Sequence, residues 1–176
     1  PGVLAVLAGG ADLGRQVIEH PMVAKVAFTG STATGRAIMS VAGPALKRVT
    51  LELGGNDAAI VLDDADPDAI ADRLYRSAFA NCGQVCIAVK RLLVARPLAA
   101  KITDALAARA RKARVGPGSE AGVEMGPLNN EPQFERIRAL VEGARRAGAT
   151  IVAGGEPIGN AGYFHQPTIV TDIEPG

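Results

Sequence analysis

Alternation is the feature that most limits how this chain can fold. Short apolar runs rich in β-branched residues recur at 3–7, 25–29, 49–53, 58–62, 91–95, 150–153 and 168–171. Longer segments with helical periodicity lie between them, at 11–20, 34–42, 67–81, 98–114 and 132–147. Strands that alternate with helices form βαβ units, and these require a mostly parallel sheet. The sequence therefore predicts an α/β fold, with mostly parallel sheets flanked by helices. Near-continuous apolar strands further predict helices on both sheet faces.

The chain has 176 residues, of which 48% are hydrophobic. A chain of that size buries roughly 70% of its unfolded surface, enough for a real core. Charge nearly cancels, with 19 Lys and Arg against 18 Asp and Glu. A balance of +1 argues against a nucleic-acid partner held by phosphate attraction. Four Phe, two Tyr and no Trp leave little material for stacking bases. No apolar run is long enough to cross a membrane, and the apolar start lacks the basic region of a signal peptide. Cys82 and Cys86 are too few and too close for a disulfide scaffold. They read as free thiols, which predicts a reducing, cytoplasmic location. The chain begins on Pro1 rather than Met and ends on Glu174, Pro175 and Gly176, so it reads as a piece of something longer.

Several boundaries have local chemistry. Asp66 before Pro67 is an N-cap followed by proline at the first helical position. The acidic group Asp63, Asp64, Asp66 and Asp68 lacks the spacing and glycine of a calcium loop, which favours capping. Arg109, Arg111, Lys112 and Arg114 end a helix, as a solvated face or as a phosphate patch. Residues 115–128 are rich in Gly and Pro and form a long loop, a place where function often sits. His20 and His165 read first as capping or packing residues, since no four-ligand zinc spacing surrounds them.

Three stretches carry candidate chemistry. Phe28 to Gly35 runs from a strand through Gly30-Ser31 into a helix, whose free N–H groups suit a phosphate. It lacks the lysine of a Walker loop, and a plain capped βα turn is the alternative. Leu51-Glu52-Leu53-Gly54-Gly55 places a carboxylate at a strand end before a glycine break. An apolar setting there suits a general base, whereas simple solvent exposure is the alternative. Asn81-Cys82-Gly83-Gln84-Val85-Cys86 holds thiols in a glycine-containing turn beside a helix. Such a thiol near a helix N-terminus acts as a nucleophile, or else packs as a small apolar group.

In this order the three stretches resemble the NAD(P)-dependent aldehyde dehydrogenase superfamily, with 34 positions from Glu52 to Cys86. Lesser matches are Pro1-Gly2-Val3, His20-Pro21, Met125-Gly126-Pro127-Leu128, Gly154-Gly155 and the segment 164–168. The resemblance implies partial cofactor and catalytic domains, at 1–53 and 54–176. It implies Cys86 as the catalytic thiol and Glu52 as the general base. Gly30, Ser31 and Gly35 would flank the pyrophosphate of NAD or NADP, and Leu53 and Gly54 would border the nicotinamide. Asn81 and Gln84 would shape the turn presenting Cys86, with Cys82 dispensable. An aldehyde would be the substrate, and the parent enzyme a homo-oligomer.

The family's upstream oxyanion-donating Asn, its ribose-binding Lys and Glu, and its later Glu-x-Phe-Gly-Pro segment do not occur in this sequence. The expectation is thus an incomplete, inactive fragment of an enzyme that converts aldehydes to acids. Two alternatives stand beside it. One is a parent that makes acyl-CoA, with CoA in place of water. The other is a non-catalytic piece whose unpaired sheet edges favour self-association.

Overall fold

Helix α1 (Ala11–Glu19), strand β1 (Lys25–Thr29), helix α2 (Thr32–Ala42) and strand β2 (Arg48–Glu52) make up the first of two units in the computed structural model. That unit spans Pro1–Gly54, the second spans Gly55–Gly176, and residues 2–173 are described. The residues read as cut ends, Pro1 and 174–176, lie outside the described part.

Parallel strands need a crossover, and α2 supplies it between β1 and β2. The pair runs in register from Lys25 beside Arg48 to Thr29 beside Glu52. Helix α2 starts on Ser31, whose Oγ accepts from the Thr34 N–H at 3.1 Å. Its buried face consists of Gly35, Ile38 and Ala42. Helix α1 ends where Lys47 Nζ donates to the carbonyls of Ile18 and His20, at 2.5 and 2.6 Å. A cation there satisfies carbonyls that have no intrahelical partner. His20 is the C-cap residue of α1 through its backbone N–H, which donates to the Gln16 carbonyl at 3.0 Å, while its Nδ1 accepts from the Met22 N–H beyond the helix at 3.3 Å.

The expected strand at 3–7 does not form. These residues join no strand ladder, and Val3 is 99% exposed. An apolar run alone cannot make a strand, because its N–H and C=O groups need a partner strand. Nor are the strands covered on both faces. Residues of β1 and β2 alternate between exposed and half-buried, so only one side of each strand is sheltered.

The second unit repeats the parallel theme. Strand β3 (Asp57–Val61) pairs with β4 (Val89–Val94), and the connection between them contains α3 (Pro67–Phe79). Asp66 caps α3 by accepting from Asp68 N–H at 3.0 Å, with Pro67 in the first turn. Helix α3 packs beside α4 (Ala99–Lys112). The core gathers Tyr75 from α3, Ile102, Leu106, Ala107 and Ala110 from α4, and Ala153 from β5 (Thr150–Ala153).

Arg109 ties this core to the long loop. Its guanidinium pairs with Asp72 at 3.2 Å and with Glu124, and lies 4.4 Å over the Tyr75 ring. The hydrogen bond from Arg109 holds the Asp72 carboxyl below the usual carboxylate range. Arg111 and Arg114 donate to the carbonyls of Val152 and Ala121, at 2.6 and 2.9 Å. Arg111, Lys112 and Arg114 remain exposed, so the basic run keeps the solvated face expected of it, while Arg109 is turned inward.

Helix α5 (Glu131–Arg146) leads to β5, which pairs with β6 (Ile169–Thr171). This pair is antiparallel, unlike the other two, because the 154–168 connection holds no crossover helix. It turns instead on glycines: Gly154 has φ +72°, and a Cβ there would meet the Pro167 carbonyl oxygen at 2.2 Å. His165 packs within this region, 7% exposed and edge-on to Phe134.

Ile102 is 1% exposed in the middle of the α3–α4 core. Ile102→Ala is expected to destabilise the fold by about 2–5 kcal/mol. Urea unfolding monitored by circular dichroism measures this, and an unchanged midpoint would refute the assignment of this core.

Candidate active site

The Gly30–Gly35 turn, Glu52 and Leu53 meet at the C-terminal end of the β1–β2 pair. Gly30 N–H donates to the Glu52 carbonyl at 3.0 Å, extending the ladder past Thr29. A Cβ at Gly35 would meet the Leu53 side chain at 2.8 Å, and Leu51 lies next at 3.5 Å. The missing side chain lets α2 sit directly on the strand. Leu51 and Leu53 both turn toward this helix. Alternation along a strand then sends Glu52 the other way. Its side chain is exposed, not set in the apolar surroundings expected from its neighbours.

The start of α2 fits an anionic group. Ser31 Oγ occupies the Thr34 amide, while the first-turn amides of Thr32 and Ala33 have no intrahelical acceptor. All residues from Thr29 to Thr34 are exposed, so an anion has access. Gly30 carries no side chain at the approach. At Gly54 a Cβ would project into open space, whereas at Gly30 it would meet the Phe28 ring.

The thiol stretch is built differently from the sequence reading. Helix α3 stops at Phe79, two residues short of the expected end, and a 3₁₀ turn follows at Ala80–Gly83. Asn81, Cys82 and Gly83 all adopt left-handed backbone, with φ of +50°, +59° and +72°. Asn and Gly accept this conformation readily, but a cysteine does so at some cost. The thiols thus follow a helix C-terminus and precede β4; Cys86 does not sit at a helix N-terminus.

Cys86 occupies a β-turn. Ala88 N–H donates to the Val85 carbonyl at 3.1 Å, which places Cys86 and Ile87 at the two central positions. Ala88 is buried, whereas Cys86 is exposed and Ile87 is 73% exposed. A Cβ at Gly55 would meet the Cys86 carbonyl oxygen at 2.2 Å. The contact arises because Gly55 and Cys86 precede neighbouring parallel strands.

Residues 125–129 brace the other side of this stretch. Cys82 Sγ donates to the carbonyls of Gly126 and Pro127, at 3.2 and 3.7 Å. Burial pushes the Cys82 thiol above its ordinary pKa. Gln84 Nε2 donates to the Asn81 carbonyl at 3.2 Å, and its Oε1 accepts from Asn129 N–H at 2.8 Å. Asn81 Nδ2 donates to the Gln84 carbonyl at 3.4 Å. Sequence reasoning attached Asn81 and Gln84 to the turn but missed the Gly126 and Pro127 carbonyls. It also missed Lys90, whose Nζ donates to the carbonyls of Val85 and Ala88 at 3.0 and 2.9 Å. No periodicity marks a lysine for that contact, and the carbonyls lie more than 40 positions from Cys82.

Two predictions follow from this geometry. Iodoacetamide is expected to label exposed Cys86 faster than half-buried Cys82, whose thiol is held above its ordinary pKa by burial. Peptide mass spectrometry reads the ratio, and equal labelling would contradict the assignment. Gly55→Ala is expected to displace the Cys86 turn, since the clash is with backbone. Cys86 labelling changed by about tenfold or more is the readout.

Comparison with known proteins finds matches along nearly the whole chain. The model of the aldehyde dehydrogenase family matches residues 1–176. A probable aldehyde dehydrogenase from a Pseudomonas species is 45% identical over 169 residues, covering 96% of this chain and 35% of that protein. The benzaldehyde dehydrogenase [NAD(+)] of Pseudomonas putida is 43% identical, covering 99% of this chain and 35% of its own. The crystal structure of succinate-semialdehyde dehydrogenase from Burkholderia pseudomallei superposes with a TM-score of 0.94 at 38% identity, covering 99% of this chain and 36% of that one. The NAD+ complex of an aldehyde dehydrogenase from Bacillus cereus gives a TM-score of 0.89 at 40% identity, over 92% of this chain and 33% of that chain. The chain spans about a third of the length of these relatives. A family model matched over residues 1–176, with relatives at 43–45% identity across nearly all of it, places the chain in the aldehyde dehydrogenase family.

Proposed function

We propose that these residues are the thiol-bearing middle of an enzyme that oxidises an aldehyde to a carboxylic acid with NAD or NADP. The observation that carries the reading is Cys86, exposed on a turn that Gly55 and Lys90 hold from two sides. Residues 1–53 then end a cofactor domain, and 54–176 form the larger part of a catalytic domain.

Gly30, Ser31 and Gly35 would hold the pyrophosphate at the start of α2, and Leu53 and Gly54 would border the nicotinamide. When bound, that ring accepts the electron pair and hydrogen lost from the aldehyde carbon. The work of this chain lies at sulfur and carboxylate. The Cys86 thiolate adds to the aldehyde carbon and forms a thiohemiacetal. Its oxygen carries negative charge and requires oriented donors. After oxidation to the thioester, Glu52 removes a proton from water as the water attacks the acyl carbon. The C–S bond breaks, the acid leaves, and the thiolate is restored. Glu52 favours water over CoA as acyl acceptor, since a thiol acceptor has less need of a base.

In the enzyme containing this segment, Cys86→Ala is expected to lower kcat by a factor on the order of 10³ or more. Glu52→Gln is expected to cost about 10²–10⁴-fold, with acylenzyme accumulating on Cys86. NADH or NADPH absorbance and intact mass follow both. Activity retained in Cys86→Ala would sink the reading, and acyl-CoA formed when CoA is supplied would replace its product. These 176 residues alone are expected to yield no reduced nicotinamide, because the oxyanion donor and ribose contacts lie elsewhere.

A further inference from the structure

We propose that Lys90 is a positioning residue that staples the nucleophile turn. The inference rests on Cys86 being the nucleophile. Val85 and Ala88 are the first and last residues of the β-turn that carries Cys86. Their two carbonyls converge on one ammonium, at 3.0 and 2.9 Å. The Val85 oxygen already accepts the turn's own N–H, and Lys90 engages its second lone pair, so that oxygen is held by two donors. The Ala88 oxygen sits at the foot of the turn, on a residue that is 3% exposed. An ammonium presents three donors on a flexible stem and so reaches both oxygens at once.

The neighbouring side chain performs a parallel task. Arg91 donates to the Asn56 carbonyl at 2.8 Å, one residue beyond Gly55. Adjacent cations at the start of β4 thus secure both partners of the close contact between Gly55 and the Cys86 carbonyl. Without Lys90 the Cys86–Ile87 tip, which is exposed, would be held by a single turn hydrogen bond and by Gly55. Lys90 is itself exposed, so it contributes little to the core. Its role is to limit where the sulfur stands, and small displacements of a reacting atom cost far more in rate than in binding.

The test uses the enzyme containing this segment. Lys90→Met keeps most of the stem and removes the donors; Lys90→Gln serves as a second variant. Both are expected to lower kcat about 10–100-fold, while KM for the nicotinamide cofactor and the thermal midpoint stay near wild type. Lys90→Arg, whose guanidinium also spans two carbonyls, is expected to recover kcat to within about threefold. If both donor-lacking variants keep wild-type kcat, or if Lys90→Arg is as slow as Lys90→Met, the staple is refuted. Cys86→Ala separates the two claims: an inactive Cys86→Ala beside a fully active Lys90→Met overturns only the staple. An active Cys86→Ala removes the nucleophile reading and the staple with it.

Discussion

Parallel pairing of β3 with β4 is the constraint on which the second unit depends. Parallel strands cannot be joined by a tight turn, so a long connection must carry the chain back to the starting edge. Here that connection holds α3, the 3₁₀ turn and the Cys86 turn. Register then does the rest. Because Asp57 lies beside Val89, the residues just before each strand are also brought together. That is why Gly55 touches the Cys86 carbonyl, and why a glycine is required there.

A turn placed by strand register still has to be held in one conformation. The stretch that leads into it carries a local cost at Cys82, a non-glycine residue in left-handed backbone. Bonds from outside compensate: Gln84 to Asn129, Cys82 to Gly126 and Pro127, and Lys90 to Val85 and Ala88. The bracing loop is in turn fixed to the α3–α4 core through Arg109 and Glu124. Core packing and thiol placement are therefore parts of one connected set of contacts. The two cysteines differ for the same reason. One is spent on structure, half-buried and bonded to carbonyls, while the other is left exposed at the tip.

Much of the fold was legible in advance, where local rules suffice. The Asp66-Pro67 cap, the Ser31 cap, all five helices and six of the seven strands follow from side-chain period and capping chemistry. Local rules failed where a partner decides the outcome. The apolar run at 3–7 has the composition of a strand but joins no ladder. The β5–β6 pair reversed direction because its connection is too irregular for a helix. Glu52 looked sheltered between two leucines, yet strand alternation carries it to the opposite side.

By itself, then, the sequence determined the α/β class, the family motifs and their order, because periodicity and residue chemistry are written along the chain. It named Cys86, Glu52, Gly30, Ser31, Gly35, Leu53 and Gly54 through that order. Only the tertiary structure decided which thiol is exposed, and that Gly55 must lack a side chain. It alone revealed that Lys90 reaches across the turn. Those outcomes depend on strand register and on hydrogen bonds between residues as much as 45 positions apart, which no linear pattern encodes.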